Sequence, residues 1–119
     1  MNTVGSVYPS AVADKCIALL REKCSLMDHP EKSLSAARFL MMHGLVEVPG
    51  RTPICFAVLS PDTPRFYYQV NMQAEACTCE FFLRTQRPCK HLYAVVLTLL
   101  AQRQFGYRPS AVPQKARGR

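Results

Sequence analysis

Apolar residues recur at helical spacing near both ends of the chain. Positions 12, 16, 17, 20, 24 and 27 are apolar, and they predict a first helix over residues 10–27. A second helix is expected from Asp28 or Pro30 to Gly44, where a glycine favours a helix end. The last helix is predicted over residues 91–104, because apolar positions 92, 95, 96, 99 and 100 form one stripe.

Between the second and last helices the pattern favours strands. Short runs rich in β-forming residues predict strands at 45–48, 54–59 and 66–70, and a turn at 60–64. A further strand over 72–79 is expected to return beside the third one. We therefore predict an α+β fold: N-terminal helices, a small antiparallel sheet and a final helix.

The predicted domain covers residues 10–104, with a helical part at 10–44 and the sheet and metal-binding part at 45–104. The remainder, 105–119, is basic and rich in Pro and Gly, and we expect a disordered tail. With 119 residues the chain fits one small domain. Its longest apolar run, 92–101, contains Thr98 and is shorter than a membrane span. Residues 1–9 have no basic segment leading into an apolar one, so neither a secretory signal nor a membrane partner is expected.

Positive charge is concentrated in the last third of the sequence. Residues 1–80 carry seven Lys or Arg and eight Asp or Glu, whereas residues 81–119 carry eight Lys or Arg and no acid. Such an uneven field could attract nucleic acid or an acidic protein surface, or simply favour solubility. The candidate nucleic-acid contacts are these eight basic residues: Arg84, Arg87, Lys90, Arg103, Arg108, Lys115, Arg117 and Arg119.

The most specific chemical pattern is Cys77-Thr-Cys79, followed by Cys89-Lys-His91 at the start of the last helix. Six cysteines without a signal peptide indicate a reducing compartment, in which thiolates bind metal rather than form disulfides. Two closely spaced ligand pairs with three Cys and one His match a tetrahedral zinc site. The sequence therefore predicts one Zn²⁺ held by Cys77, Cys79, Cys89 and His91.

Four protein ligands leave zinc no open coordination position, which is typical of a structural rather than a catalytic site. We therefore expect no enzymatic activity and no small-molecule substrate. A redox role for Cys77 and Cys79 would need a free thiolate, which zinc ligation removes. The other cysteines, Cys16, Cys24 and Cys55, are expected to be small buried apolar residues.

The CxC…CxH pattern resembles the SWIM-type zinc finger, and the resemblance implies a β-β-α finger around a zinc ion. Residues 79–82 and 89–95 follow the family pattern closely. One position differs: family members often have Pro directly after the second Cys, where this chain has Glu80.

Three upstream segments extend the resemblance: 36–44, 54–61 and 65–70 look like the small SWIM subunits of Shu recombination-mediator complexes. That resemblance implies a nuclear, non-enzymatic subunit in homologous-recombination DNA repair. It would pair with a RecA-like recombinase paralogue and promote recombinase assembly on single-stranded DNA. The apolar helices before the finger are the expected partner surface. The alternative is a finger that binds DNA directly through the basic residues.

Overall fold

A computed structural model of the chain describes residues 8–23, 31–47, 55–63 and 66–106. These residues form an α+β fold, and the predicted fold class is confirmed. None of their helices combines the length and hydropathy needed to cross a bilayer. The elements in chain order are α1 (Ser10–Lys23), α2 (Glu31–Met42), β1 (Val46–Glu47), β2 (Cys55–Leu59), β3 (Tyr67–Asn71), β4 (Ala76–Cys77), α3 (Glu80–Thr85) and α4 (Lys90–Arg103).

α4 is the central element of the core and packs against α2, α1 and the sheet. Most of its residues are buried, including Tyr93 and Val95. Its polar residue Gln102 donates a hydrogen bond from Nε2 to the Oη of Tyr8 over 3.0 Å. The helix is therefore enclosed on most sides, which positions its N-terminal ligand residues firmly.

α1 and α2 bury their apolar faces within the chain's own core. Ala13, Cys16 and Leu20 of α1 are buried, as are four residues of α2. On the surface, Arg38 donates from Nε to Asp14 Oδ1 over 2.8 Å and connects the two helices. Exposed ion pairs contribute at most about 1 kcal/mol, so burial is the main source of this packing. The predicted end of the first helix, 24–27, lies outside the described residues.

The predicted end of the second helix at Gly44 is confirmed. Gly44 has φ of 68° and donates its N–H to Met41 O, while Leu45 donates to Leu40 O. This pair of hydrogen bonds is a Schellman motif, in which a residue with positive φ ends the helix. Leu45 then packs on the core and leads directly into β1.

The sheet has the order β1-β2-β3-β4, and every neighbouring pair is antiparallel. Val58 lies opposite Tyr68, and Val70 lies opposite Cys77. Phe56, Val58 and Val70 are buried on the α4 side. The sheet thereby brings the end of β4 close to the start of α4.

The predicted strand over 72–79 is shorter than expected. Residues 72–75 form a turn and only Ala76–Cys77 pair as β4. Asn71 Oδ1 accepts a hydrogen bond from the Ala74 N–H at 2.9 Å, and Glu75 has φ of 54°. Side-chain capping by Asn stabilises such a turn, so β4 begins only after it.

The short helix α3 was not predicted. Cys79 is its N-cap and Gln86, with φ of 59°, is its C-cap. Glu80 is the first helical residue, a position that favours both proline and acidic side chains. The structure therefore explains how Glu80 can stand where the SWIM pattern often has proline.

Candidate metal centre

The first ligand pair is positioned by the end of the sheet. Cys77 is the last residue of β4, and Cys79 precedes α3. Thr78, between them, donates its N–H to Gln69 O over 3.1 Å and accepts from the Gln69 N–H through Oγ1 over 3.0 Å. These two bonds fix the connecting residue against β3, so both thiols lie on the inner side, where they are buried.

The second ligand pair is positioned by the start of α4. Cys89 is the N-cap residue, with φ of −104° and ψ of 173°. Its carbonyl accepts the N–H of Tyr93, and His91 lies in the first turn. A helix N-terminus favours negative charge, which suits a thiolate at Cys89.

The structure brings all four predicted ligand residues together. One ligand atom from each of Cys77, Cys79, Cys89 and His91 lies within 4.8 Å of every other, and all four residues are buried. Zinc–sulfur bonds of about 2.3 Å place tetrahedral ligand atoms roughly 3.8 Å apart. Each distance between two ligand atoms therefore needs to shorten by about 1 Å at most for the four side chains to surround one ion.

The thiols shift one another's pKa. A hydrogen bond from the Cys77 thiol lowers the pKa of Cys89 to about 4. That same contact, together with burial, raises the pKa of Cys77. Burial also raises the pKa of Cys79. At neutral pH one thiolate thus lies beside two thiols, and a soft divalent cation can replace their remaining protons.

Three thiols and one imidazole form a CCCH-type group that could hold one zinc ion. The donor set suits zinc because soft sulfur ligands with imidazole favour it over magnesium or calcium. A zinc ion bound there would supply a cross-link between the β4–α3 segment and the start of α4. The four side chains would hold that ion and exclude water from it.

Two other cysteines are described, and they differ. Cys16 is buried as expected, and burial raises the pKa of its thiol to about 11. Cys55 is exposed, so the expectation that it is buried was wrong. It begins β2 on the side of the sheet away from Phe56, which faces the core. Cys24 lies outside the described residues.

The four candidate nucleic-acid contacts that the structure describes do not form one patch. Arg84 and Arg87 are exposed at the end of α3 and in the following loop, and Lys90 is the exposed first residue of α4. Arg84 pairs with Glu80 at 3.5 Å. Arg103 is exposed at the opposite end of α4, about 20 Å along the helix from Lys90. The four remaining residues lie outside the described part: Arg108, Lys115, Arg117 and Arg119.

Two residues beside the centre were not predicted to contribute to it. Tyr68 packs against the His91 ring, with ring centroids 4.3 Å apart. Phe82, in the spacer between the ligand pairs, is buried and donates its N–H to Cys79 Sγ. The alternation of β3 placed Tyr68 on the same face as Val70, but no sequence pattern indicates its contact with His91.

Comparison with known families supports the metal assignment. The family model of the SWIM zinc finger matches residues 68–100, which run from β3 into α4 and contain all four candidate ligands. Neither the curated proteins nor the solved structures gave a match to the chain. The resemblance to Shu subunits gains no support from these comparisons and stays a prediction. The segment that carries the metal centre is thus the part of the chain with a SWIM zinc finger match.

Proposed function

We propose that this chain is a non-enzymatic interaction subunit whose zinc-stabilised finger presents an apolar surface to a protein partner. The observation that carries the proposal is the exposure of large apolar side chains around the first ligand pair. In α3, Phe81 is 42% exposed and Leu83 is 64% exposed. Phe66, which directly precedes β3, is also exposed. We call these three residues the finger surface.

The chemistry of the centre supports a structural role for the metal. Four protein ligands would fill a tetrahedral zinc ion, so no position is left to activate water or a substrate. Binding energy would instead hold α3 and its exposed side chains in one arrangement. A non-enzymatic role follows from that reasoning.

The partner we propose is a RecA-like recombinase paralogue in the nucleus, within a complex that promotes recombinase assembly on single-stranded DNA. The support is the resemblance of the upstream segments to Shu subunits, together with the positive charge after residue 80. The pairing surface differs from the one first expected. α1 and α2 bury their apolar faces against α4, with Phe39 exposed, so the finger surface is the better candidate.

Native co-purification of the tagged full chain tests this proposal. We expect mass spectrometry of the complex to identify a protein with a RecA-like ATPase core at equal stoichiometry. Leu83→Ser should weaken the complex while retaining zinc, because Leu83 is exposed and is not a ligand residue. Phe39→Ser is the matched control, since Phe39 is also exposed but belongs to α2.

Three results would contradict the proposal. A stable monomer without a RecA-like protein would exclude the partner. Loss of the complex with Phe39→Ser, but not with Leu83→Ser, would place the interface on the helices. Normal pairing after Cys89→Ala, in a protein shown to lack zinc, would separate the metal from the function.

Direct DNA binding is the second candidate, favoured by the position of Arg84, Arg87 and Lys90 close to Phe81 in sequence. Basic groups beside an exposed aromatic ring suit single-stranded DNA, which combines phosphates with stacking bases. Affinity should then fall steeply with salt. The joint change Arg84→Ala and Arg87→Ala, together with deletion of 107–119, should abolish binding to a labelled oligonucleotide. Unchanged affinity would exclude this candidate.

A further inference from the structure

His91 directs one particular ring nitrogen at the thiols. Its Nδ1 lies 3.6 Å from Cys77 Sγ, and the residue is only 5% exposed. With zinc–sulfur bonds of about 2.3 Å and zinc–nitrogen bonds of about 2.05 Å, a tetrahedral angle places these two atoms roughly 3.6 Å apart. Nδ1 and Cys77 Sγ are therefore already separated as two ligands of one ion would be.

The plane of the His91 ring is covered by Tyr68. The two rings have centroids 4.3 Å apart and planes inclined by 30°. Phe66 in turn packs edge-on against Tyr68, with centroids 4.8 Å apart and planes at 90°. The edge-on arrangement of Phe66 and Tyr68 is one that aromatic rings favour. The imidazole is thus restrained by a ring from β3, an element that carries none of the candidate ligands.

The usual means of orienting a histidine ligand is a hydrogen bond from its second nitrogen to a carbonyl or carboxylate. Within the four described segments, no such acceptor pairs with Nε2 of His91. Packing by Tyr68 is thus the contact that restrains the His91 ring within these segments.

We propose that Tyr68 is a positioning residue of the metal centre, which fixes the His91 ring so that Nδ1, and not Nε2, binds the metal. A half-turn of the imidazole about Cβ–Cγ would place Cδ2 where Nδ1 lies and Nε2 where Cε1 lies, so Cys77 would face a carbon atom. Packing by Tyr68 opposes that rotation, because the ring must leave the stacked plane as it turns. This inference rests on the proposed zinc site and adds a residue outside the CxC…CxH pattern.

The test compares Tyr68→Phe with Tyr68→Leu in the full chain. Phenylalanine keeps the stacked ring, so zinc affinity should match that of the wild type. Leucine removes the ring, and loss of an orienting partner typically weakens metal binding about 10- to 100-fold. Affinity is measured by competition with a chromophoric chelator. Tyr67→Leu is the matched control, because Tyr67 is exposed and points to the opposite face of β3.

A second readout separates positioning from general destabilisation. Nitrogen-15 NMR of the zinc-loaded wild type should show Nδ1 bound to metal and Nε2 carrying the proton. In Co²⁺-loaded protein, the Tyr68→Leu substitution should change the ligand-field bands, while Tyr68→Phe and Tyr67→Leu should preserve them. Circular dichroism of each variant confirms that its helices are retained.

Each outcome decides one point. If the wild type binds no zinc, the proposed metal centre fails. If it binds zinc through Nε2, or if Tyr68→Leu binds as tightly as the wild type, the role of Tyr68 is overturned while the centre stands. If Tyr68→Phe is as weak as Tyr68→Leu, the hydroxyl group is responsible and the stacking argument is wrong. A Tyr68→Leu protein that does not fold leaves the NMR assignment in the wild type as the deciding measurement.

Discussion

The backbone N–H of Phe82 donates a hydrogen bond to Cys79 Sγ over 3.4 Å. Cys79 is thus both the N-cap of α3 and one of the four side chains of the metal centre. The bond connects helix formation to metal binding, because a thiolate is a better acceptor than a thiol. Zinc binding should therefore stabilise α3 and the exposed Phe81 and Leu83 that it carries.

We predict that Cys79→Ser and Cys79→Ala both lose tight zinc binding but differ in stability. Serine can still accept the Phe82 N–H as an N-cap, whereas alanine cannot. Without metal, Cys79→Ser should therefore be more stable than Cys79→Ala by about 1 kcal/mol. Urea unfolding in the presence of a chelator measures the difference. Equal stability of the two variants would mean that capping by Cys79 contributes nothing.

Zinc binding should release protons and strengthen as pH rises. Cys89, with its pKa lowered to about 4, is already a thiolate at neutral pH. Cys77 and Cys79, whose pKa values are raised, must each lose a proton. We expect about two protons released per zinc ion near pH 8. Stability contributed by zinc is then present at neutral and higher pH, and is lost as pH falls and protons displace the metal.

Titration calorimetry in buffers with different ionisation enthalpies counts these protons. The logarithm of the apparent association constant should rise by about 2 per pH unit around pH 8. Cys89→Ser is the informative control, because it removes the thiol that starts ionised. Release of about three protons by the wild type would show that Cys89 is a neutral thiol and would contradict its lowered pKa.

The sequence predicted features that depend on neighbouring residues. Gly44 ends α2 because a Schellman motif needs only the local chain and a residue that tolerates positive φ. The two ligand pairs were identified for the same reason, since short spacing limits how their side chains can be directed. Each feature is determined within a few residues, so no knowledge of the distant chain was needed.

Features that depend on the rest of the fold were missed. Along β2 both alternating sets are apolar, so the pattern could not show that Phe56 and Val58 face α4 while Cys55 faces outward. α3 has six residues and is capped by Cys79. Helix propensity alone does not predict so short a helix. The contact of Tyr68 with His91 joins a strand to a helix and depends on sheet register.

Thr98 provides a stability prediction within the core. Its side chain is buried on α4, and among the described residues nothing pairs with its Oγ1. Valine has a similar shape without the hydroxyl group, so Thr98→Val should raise the free energy of unfolding by about 1 kcal/mol. Urea unfolding of the zinc-loaded protein measures this free energy. Thr98→Ser, which keeps the hydroxyl and loses a methyl group, should lower the free energy of unfolding by about 1 kcal/mol. A destabilised valine variant would indicate that the hydroxyl group is paired.

Thiol reactivity should distinguish the cysteines by their surroundings. With zinc bound, an alkylating reagent near pH 8 should label exposed Cys55 and leave Cys16 unmodified. Cys16 is buried and its pKa is raised to about 11, so roughly a thousandth of it is thiolate at that pH. Cys24, outside the described residues, is replaced by serine in the protein used, so that mass spectrometry reports the described thiols alone.

Addition of a chelator should then make Cys89 reactive first, because its pKa is lowered to about 4. Alkylation of Cys89 ends the hydrogen bond that raises the pKa of Cys77, so Cys77 and Cys79 should follow, while Cys16 stays protected until the chain unfolds. The order follows from structure: bound zinc would shield three thiols by ligation, whereas burial in the core shields Cys16. Cys55→Ser should remove the label seen before the chelator is added. The labels that appear after its addition should stay unchanged. Labelling of Cys16 together with the three ligand thiols would show that the helical core opens when the metal leaves, and zinc would then stabilise the whole fold rather than the finger alone.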